Sequence, residues 1–354
     1  MFTSDLATQD AGQLSTAGQR YCVGIVGSGQ LGCYLGAHLC QDSALDVKFF
    51  GRETTALELA AHGLSVTSAD NQRYFAQPVA FYSALNSLIE CDVVLLTVKA
   101  TAVLAMISQL KRFLRPEVPV VALQNGIGIA QMLAQDLPNP ILRAIVSFSI
   151  DKTKAGQFYC TLAGNINWQD SDFPAVNYII TVFNRLKLPV KTPPNITALE
   201  YGQLLLHLND AVNVLSKLPL QQQWLRRDYR LLLGAAIQEW LAVSAVAGIT
   251  PITGCGIANS LLPYVLWLPT PVFKLIAGRA LNIAAPQHNA MLQQLQAKKQ
   301  TEIMFLNGAV VRMAQQYGIK TPVNQILTEW IKRSEAGETD FPIAKAILAQ
   351  AGKI

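Results

Sequence analysis

Charged residues are scarce in this 354-residue chain: they make up 14% of it, against 51% hydrophobic residues. The net charge is only +5, and the basic residues are scattered apart from short pairs such as Arg226-Arg227. A nucleic-acid-binding surface is therefore not expected, whereas anionic small molecules remain candidate ligands. The composition also excludes long disordered regions away from the chain ends, and the length suits two domains.

The cysteines lack the spacing of a metal or redox motif. None of the six forms a C-x-x-C pair, and no secretory signal precedes them. We therefore expect reduced, buried thiols and no metal site. The six are Cys22, Cys33, Cys40, Cys91, Cys160 and Cys255.

The chain also lacks segments typical of membrane targeting. Residues 1–20 have neither a basic nor an apolar segment, so they are predicted to be a flexible leader rather than a signal peptide. The most apolar run, 257–277, contains three prolines and Lys274, which argues against a membrane span. A cytoplasmic protein with no membrane partner is expected.

A glycine-rich turn follows the first predicted strand, 21–26. It contains Gly27, Gly29 and Gly32 in G-x-G-x-x-G spacing and leads into an amphipathic helix. The first glycine permits a tight turn, the second lets a pyrophosphate approach the backbone, and the third lets helix and strand pack closely. This motif predicts a Rossmann-type dinucleotide site. The predicted cofactor-binding residues of the loop are Gly27, Ser28, Gly29, Gln30, Leu31 and Gly32.

The end of the next predicted strand lacks an acidic residue. The strand ends at Phe50, and Gly51 and Arg52 follow it before Glu53. An Asp or Glu there would bind the ribose of NAD(H), whereas an arginine suits a 2′-phosphate. The sequence therefore favours NADP(H) over NAD(H), although Arg52 is also acceptable as a solvated loop residue.

Two further apolar runs predict strands of a parallel sheet, ending near Lys99 and Asn125. Ligands of open α/β sheets bind at the carboxyl ends of the strands, so both residues are candidates for the cofactor site. Residues 144–169 predict short antiparallel strands that close the domain, and 191–197 is the best linker candidate. We predict a dinucleotide-binding domain over residues 21–192.

The rest of the chain, 195–354, predicts an all-helical domain for substrate binding and dimerisation, so the fold class is α/β followed by helices. Three long helices are expected, over about 198–216, 220–247 and 289–316. Thr197 and Glu200 have the spacing of a capping box for the first of these. A homodimer is a candidate assembly.

The first long helix carries a polar stripe within "YGQLLLHLNDAVN". Gln203, His207 and Asp210 are spaced i, i+4 and i+7, and Asn213 lies close to them. Amphipathicity alone predicts that such a stripe faces solvent. Its chemistry also fits the lining of a cleft, with His207 as a side chain that titrates near neutrality.

Together these motifs resemble the ketopantoate reductase (2-dehydropantoate 2-reductase) family, from residue 21 to about 330. The resemblance rests on "GIVGSGQLG", "LLTVKA", "LQNGIG", "YGQLLLHLNDAVNVLSKLPL", "QTEIMFLNGAVV" and "YGIKTPVN", which occur in this order. It implies an NADPH-dependent oxidoreductase that reduces ketopantoate to pantoate for pantothenate biosynthesis. It further implies that Arg52, Lys99, Asn125 and Glu302 bind the cofactor, and that substrate lies between the two domains.

The substrate side departs from the family pattern. Gln203 stands where the family has a lysine that donates a proton to the ketone oxygen, and His207 stands where it has an asparagine. Asp210 replaces a further asparagine, and Asn289-Ala290 replaces an expected serine. The resemblance then places the stripe in the interdomain cleft. The predicted catalytic residues are Gln203 and His207. The predicted substrate-binding residues are Asn125, His207, Asp210, Asn213 and Asn289.

Two kinds of function follow. One is an NADPH-dependent reductase of a small 2-oxo acid, either slow on ketopantoate or shifted to another substrate, with His207 as a candidate replacement acid. The other is a catalytically impaired NADP(H)-binding homologue with a sensing or interaction role. In that second reading, His207 only forms hydrogen bonds within the cleft.

Overall fold

A computed structural model describes residues 20–254, 256–277 and 289–353. All but the last residue of the predicted leader lies outside these ranges, as does Cys255. The described chain consists of a mixed α/β half followed by a helical half, which confirms the predicted fold class.

The first half is built on twelve described strands. These are β1 Tyr21–Val26, β2 Leu45–Phe50, β3 Leu64–Thr67, β4 Arg73–Ala76, β5 Ala80–Tyr82, β6 Val93–Leu96, β7 Val120–Ala122, β8 Ile141–Val146, β9 Ser149–Lys154, β10 Gln157–Leu162, β11 Ile166–Trp168 and β12 Val190–Lys191. The helices of this half are α1 Gln30–Leu39, α2 Glu53–His62, α3 Ala100–Phe113, α4 Ile129–Asp136 and α5 Pro174–Arg185.

Eight strands form the main sheet, in the order β12-β11-β8-β7-β6-β1-β2-β5. Its central strands are parallel and buried, which explains their continuous apolar sequences. Val26 is in register with Phe50 on one side and with Leu96 on the other. The loops after β1, β2 and β6 therefore emerge together at the carboxyl edge of the sheet, where ligands of such folds bind.

A smaller sheet, in the order β4-β3-β10-β9, packs beside α1. Strands β9 and β10 pair antiparallel, and β11 pairs antiparallel with β8 in the main sheet. Antiparallel strands were predicted for this part of the chain. The sequence did not predict that these strands are divided between two sheets.

The second half is helical in the described residues. Its helices are α6 Ile196–Ser216, α7 Leu220–Leu225, α8 Arg227–Val246, α9 Leu262–Trp267, α10 Thr270–Ala277, α11 Ala290–Gln296, α12 Asn307–Gln316, α13 Pro322–Glu335 and α14 Ala344–Gln350. Helices α6 and α8 form the centre of one large apolar cluster. None of the helices that the structure describes combines the length and apolarity needed to cross a bilayer.

Two predicted long helices are wrong in extent. The helix expected over 220–247 is interrupted at Arg226, which has extended backbone angles between α7 and α8. The helix expected over 289–316 ends after Gln296, and Lys298 adopts a positive φ of 52°. A 3₁₀ turn at Ile303–Phe305 then precedes α12. Apolar residues resume after each break, so the pattern on either side did not reveal them.

The predicted capping box at the start of α6 is also wrong. Asn195 caps the helix, because its side-chain oxygen accepts a hydrogen bond from the Ala198 N–H at 3.0 Å. Thr197 and Glu200 instead hold the guanidinium of Arg143 on β8, each at 2.7 Å. These contacts join the first turn of α6 to the main sheet.

Candidate active site

The glycine loop forms a tight turn between β1 and α1. Gly27 has a φ of +112°, a conformation that favours glycine. A side chain at Gly32 would collide with the Gly27 carbonyl, so this glycine permits the close contact of helix and strand. At Gly29, in contrast, an added Cβ would meet no described atom within 4 Å. The space that a pyrophosphate needs is therefore open at the second glycine.

Thr97 holds this turn in place from the neighbouring strand. Its hydroxyl donates to the Gly27 carbonyl at 2.6 Å, and Gly27 N–H donates to the Phe50 carbonyl at 2.9 Å. Gly29 is the N-cap of α1 and has no side-chain cap in the described structure, so the helix N-terminus can receive an anion. Thr97 was missed in the sequence, where only its position in "LLTVKA" indicated the site.

Arg52 follows the end of β2 and is exposed at the N-cap of α2. Gly51 before it lies against the Ser28 hydroxyl, because a Cβ at Gly51 would overlap that oxygen. The loop after β2 therefore contacts the glycine loop directly. Arg52 is therefore an exposed residue that directly follows a contact with the glycine loop.

Glu302 connects the helical half to the end of β6. Its carboxylate accepts a hydrogen bond from the Ala100 N–H at 2.9 Å and lies 3.5 Å from the Lys99 ammonium. Lys99 remains largely exposed and Glu302 is mostly buried. The two predicted cofactor residues are therefore brought together at the N-terminus of α3, where the helix dipole favours a carboxylate.

Asn125 and Gln203 meet across the two halves of the chain. The Gln203 side-chain N–H₂ donates to Asn125 Oδ1 at 3.3 Å and to the carbonyl of Val146 at 3.1 Å. The stripe on α6 thus faces the carboxyl edge of the sheet rather than open solvent. Next to Asn125, Gln124 donates to the carbonyls of Leu96 and Val98 at 2.7 and 3.1 Å, which fixes the loop after β7.

The backbone of that loop is tied to the helical half as well. Ile127 N–H donates to the Phe305 carbonyl at 3.0 Å. Gly126 has a φ of +96°, and a side chain there would overlap the same carbonyl. The loop that carries Asn125 is therefore held by hydrogen bonds to both halves of the chain.

His207 lies one turn beyond Gln203 and pairs with Asp210. The imidazole Nδ1 is 3.1 Å from Asp210 Oδ2, and each side chain is about one quarter exposed (27% and 26%). Burial lowers the pKa of His207, but the hydrogen bond and charge of Asp210 and the charge of Glu302 outweigh it. The net pKa lies above the usual histidine value of 6.5. Asp210 and Glu302 therefore favour the protonated imidazole more than the surroundings of a free histidine do.

Asn213 and Asn289 use their side chains within the protein. Asn289 Nδ2 donates to the Asp210 carbonyl at 2.8 Å and to Asn213 Oδ1 at 3.0 Å, while its oxygen caps α11. Asn213 is buried, and its own N–H₂ donates to the Leu218 carbonyl. These two predicted substrate residues therefore fasten α11 to α6, next to the His207–Asp210 pair.

The described residues contain no group of three or more His, Cys, Asp or Glu side chains arranged for a metal ion. The structure thus gathers Gln203, His207, Asp210 and Asn125 beside Lys99 and Glu302, at the edge of the sheet where the glycine loop lies. The donors in this region are suited to binding a dinucleotide and to moving a proton.

Two protein-family models match the chain. The model described as "Ketopantoate reductase PanE/ApbA" matches residues 23–172, and its C-terminal counterpart matches residues 203–335. Among curated proteins, the chain is 28% identical to a 2-dehydropantoate 2-reductase of Vibrio cholerae over 73% of this chain and 83% of that one. It is 23% identical to a 2-dehydropantoate 2-reductase of Pyrococcus horikoshii, over 88% and 97%.

Solved structures share the fold. A PanE/ApbA family ketopantoate reductase from Ralstonia eutropha aligns with a TM-score of 0.75 at 22% identity, over 89% of this chain and 98% of that one. D-mandelate dehydrogenase, solved with NADH and anilino(oxo)acetate, aligns with a TM-score of 0.71 at 18% identity, over the same shares of the two chains.

Proposed function

The chain belongs to the ketopantoate reductase family of NADPH-dependent oxidoreductases, and we propose that it reduces a small 2-oxo acid with His207 as proton donor. The observation that carries the proposal is the His207–Asp210 pair, which lies one turn from Gln203 on the face of α6 that meets Asn125. A protonated imidazole at this place can donate a proton to the ketone oxygen, as a lysine at position 203 would.

The residues of the first half fit NADPH. The open space at Gly29 and the uncapped N-terminus of α1 suit the pyrophosphate, and Arg52 suits the 2′-phosphate. Lys99, Asn125 and Glu302 complete the cofactor side. When bound, NADPH supplies the hydride for reduction of a ketone.

The chemistry of the second half is proton donation. Hydride addition to a ketone carbon leaves negative charge on the oxygen, which must be stabilised and protonated. With Asp210 on Nδ1, the protonated imidazole of His207 offers its Nε2–H to that oxygen. Asp210 holds the ring in one orientation and favours its charged form.

Gln203 cannot act as the proton donor. Its amide can donate a hydrogen bond but does not release a proton at neutral pH. Turnover of ketopantoate, the reaction that would serve pantothenate biosynthesis, is therefore expected to be slow. A related 2-oxo acid whose ketone oxygen reaches His207 is expected to react faster.

Titration of NADPH by fluorescence, followed by assays of NADPH oxidation with a panel of 2-oxo acids, tests the proposal. We expect tight NADPH binding and turnover of at least one acid, with ketopantoate below the ordinary enzyme range of about 1–10³ s⁻¹. Binding of NADPH without turnover of any acid would contradict it.

One observation favours the second candidate function, a non-catalytic NADP(H)-binding protein. Both N–H donors of Gln203 are directed at protein acceptors, the oxygens of Asn125 and Val146. A side chain used in this way ties the two halves together and leaves no amide proton for a ketone. The same assay panel distinguishes the two candidates.

A further inference from the structure

Two cysteines lie side by side at the amino ends of β1 and β6, away from the cofactor loops. The Sγ atoms of Cys22 and Cys91 are 3.7 Å apart. Cys91 is buried, and Cys22 is half-buried against the same apolar cluster. To form a disulfide, the two sulfurs must approach each other from this distance to a bond length of about 2.05 Å.

The two thiols differ in access. A surface cavity of about 450 Å³ is lined by Cys22 together with Asp46, Glu90 and Asp92. Cys91 is not among the described residues that line it. Of the two residues, Cys22 is therefore the more accessible.

A buried cation lies beside this pair. Lys48 forms ion pairs with Glu90 and, at 3.7 Å, with Asp46. Burial lowers the pKa of Lys48, but the Glu90 hydrogen bond and the charges of Cys22, Glu90 and Asp46 outweigh it, so the pKa is raised and the ammonium persists. Negative charge that develops on the Cys22 sulfur would be attracted to this ammonium.

We infer that Cys22 and Cys91 are a hydroperoxide-sensitive thiol pair, in which Cys22 is oxidised first and Cys91 closes a disulfide. The Cys22 sulfur attacks a peroxide oxygen, the O–O bond breaks, and with hydrogen peroxide the products are a sulfenic acid and water. Cys91 sulfur then attacks Cys22 sulfur, the S–O bond breaks, and a second water leaves with the Cys91 proton. The two thiols lose two electrons in total, and one peroxide gains them.

The order of events can be tested on the full-length protein with hydrogen peroxide. Free thiols are counted before and after treatment, and non-reduced peptides are mapped by mass spectrometry. We expect two fewer thiols and one linked peptide pair containing Cys22 and Cys91. Cys40→Ser is the matched control, since Cys40 is also half-buried but lies at the end of α1, and this variant should still form the link.

Single variants separate the two roles. In Cys91→Ala, the Cys22 sulfenic acid has no resolving thiol and should be trapped by dimedone. In Cys22→Ser, position 91 should stay unlabelled. Two results would overturn the inference. One is dimedone labelling of Cys91 in the Cys22→Ser variant, and the other is peroxide-treated unaltered protein in which both cysteines are still free. A thermal melt shows whether the Cys91→Ala protein is folded. If it is not folded, Cys91→Ser is used in its place. Peptide mapping of the unaltered protein needs no variant.

Discussion

The imidazole of His207 and the carboxylate of Asp210 are paired within one turn of α6, with Nδ1 and Oδ2 3.1 Å apart. The pair lies on the face of the helix that also carries Gln203, whose amide reaches Asn125 in the other half of the chain. A titratable group held by a carboxylate in a cleft is a common arrangement at catalytic sites.

The pH dependence of turnover follows from the raised pKa of His207. A donor must be protonated, so kcat should be highest below the folded-state pKa and should fall as pH rises through it, at a value above 6.5. The raised pKa of His207 also contributes to the free energy of unfolding. This contribution is fully present below the pKa of His207 in the unfolded chain, and it is lost as pH rises through the pKa of His207 in the folded protein. Steady-state kinetics from pH 5 to 9 would measure the falling limb. A limb located below pH 6.5 contradicts this prediction.

Asp210→Asn should move that limb toward lower pH. The substitution removes both contributions of Asp210 to the raised pKa of His207, so that the lowering by burial is opposed by the charge of Glu302 alone. At pH 8 kcat should therefore drop more than it does at pH 6. Asp340→Asn, at an exposed position on the same half of the chain, is the control and should leave the profile in place. An equal loss at all pH values would indicate that Asp210 acts only through packing.

Arg52→Ala should weaken NADPH binding while leaving NADH binding nearly unchanged. Charge-assisted hydrogen bonds contribute roughly 1.5–3 kcal/mol, which corresponds to about 10- to 150-fold in Kd. Fluorescence titrations with both nucleotides measure the ratio. Arg73→Ala, at an exposed site on β4, should not change it. If the NADPH/NADH ratio is the same in Arg52→Ala and unaltered protein, another group recognises the 2′-phosphate.

Alanine at Gly32 and at Gly29 should have opposite consequences. At Gly32 the new methyl overlaps the Gly27 carbonyl, so the free energy of unfolding should fall by about 1–3 kcal/mol. At Gly29 the new methyl meets no described atom within 4 Å and φ is −81°, so the free energy of unfolding should be kept. The same methyl fills the space for the pyrophosphate, so NADPH affinity should fall. Urea unfolding and NADPH titration of both variants test this. A Gly29→Ala protein with full affinity would show that the pyrophosphate does not approach there.

The sequence predicted the sheet and the glycine loop, because buried parallel strands are continuously apolar and because the contact that requires Gly32 is local: a Cβ there would overlap the carbonyl of Gly27. The helix breaks at Arg226 and Lys298 were missed, since apolar residues resume after both. The partners of Asn289 also had no local signal: its amide reaches Asn213, which is 76 residues away. Such long-range pairs are set by packing between helices, which periodicity along one helix does not report.

Gln203→Lys should raise reductase activity on ketopantoate, whose turnover is expected to be slow because Gln203 does not release a proton. An ammonium at this position can donate to the Asn125 and Val146 oxygens that now bind the amide, and it can also release a proton. General acid catalysis is typically worth about 10²–10⁴-fold, and the residues of the cofactor loop are untouched. NADPH affinity should therefore stay nearly unchanged. If the variant binds NADPH without any gain in rate, the missing lysine does not limit the reaction.

The rate of NADPH oxidation by His207→Asn, measured with the best 2-oxo acid of the panel, tests the role of His207 most directly. We expect a loss of about 10²–10⁴-fold with NADPH affinity preserved, and recovery of activity when Gln203→Lys is added to the same protein. An active His207→Asn protein, with a rate equal to that of the unaltered chain, would contradict the assignment of His207 as the proton donor.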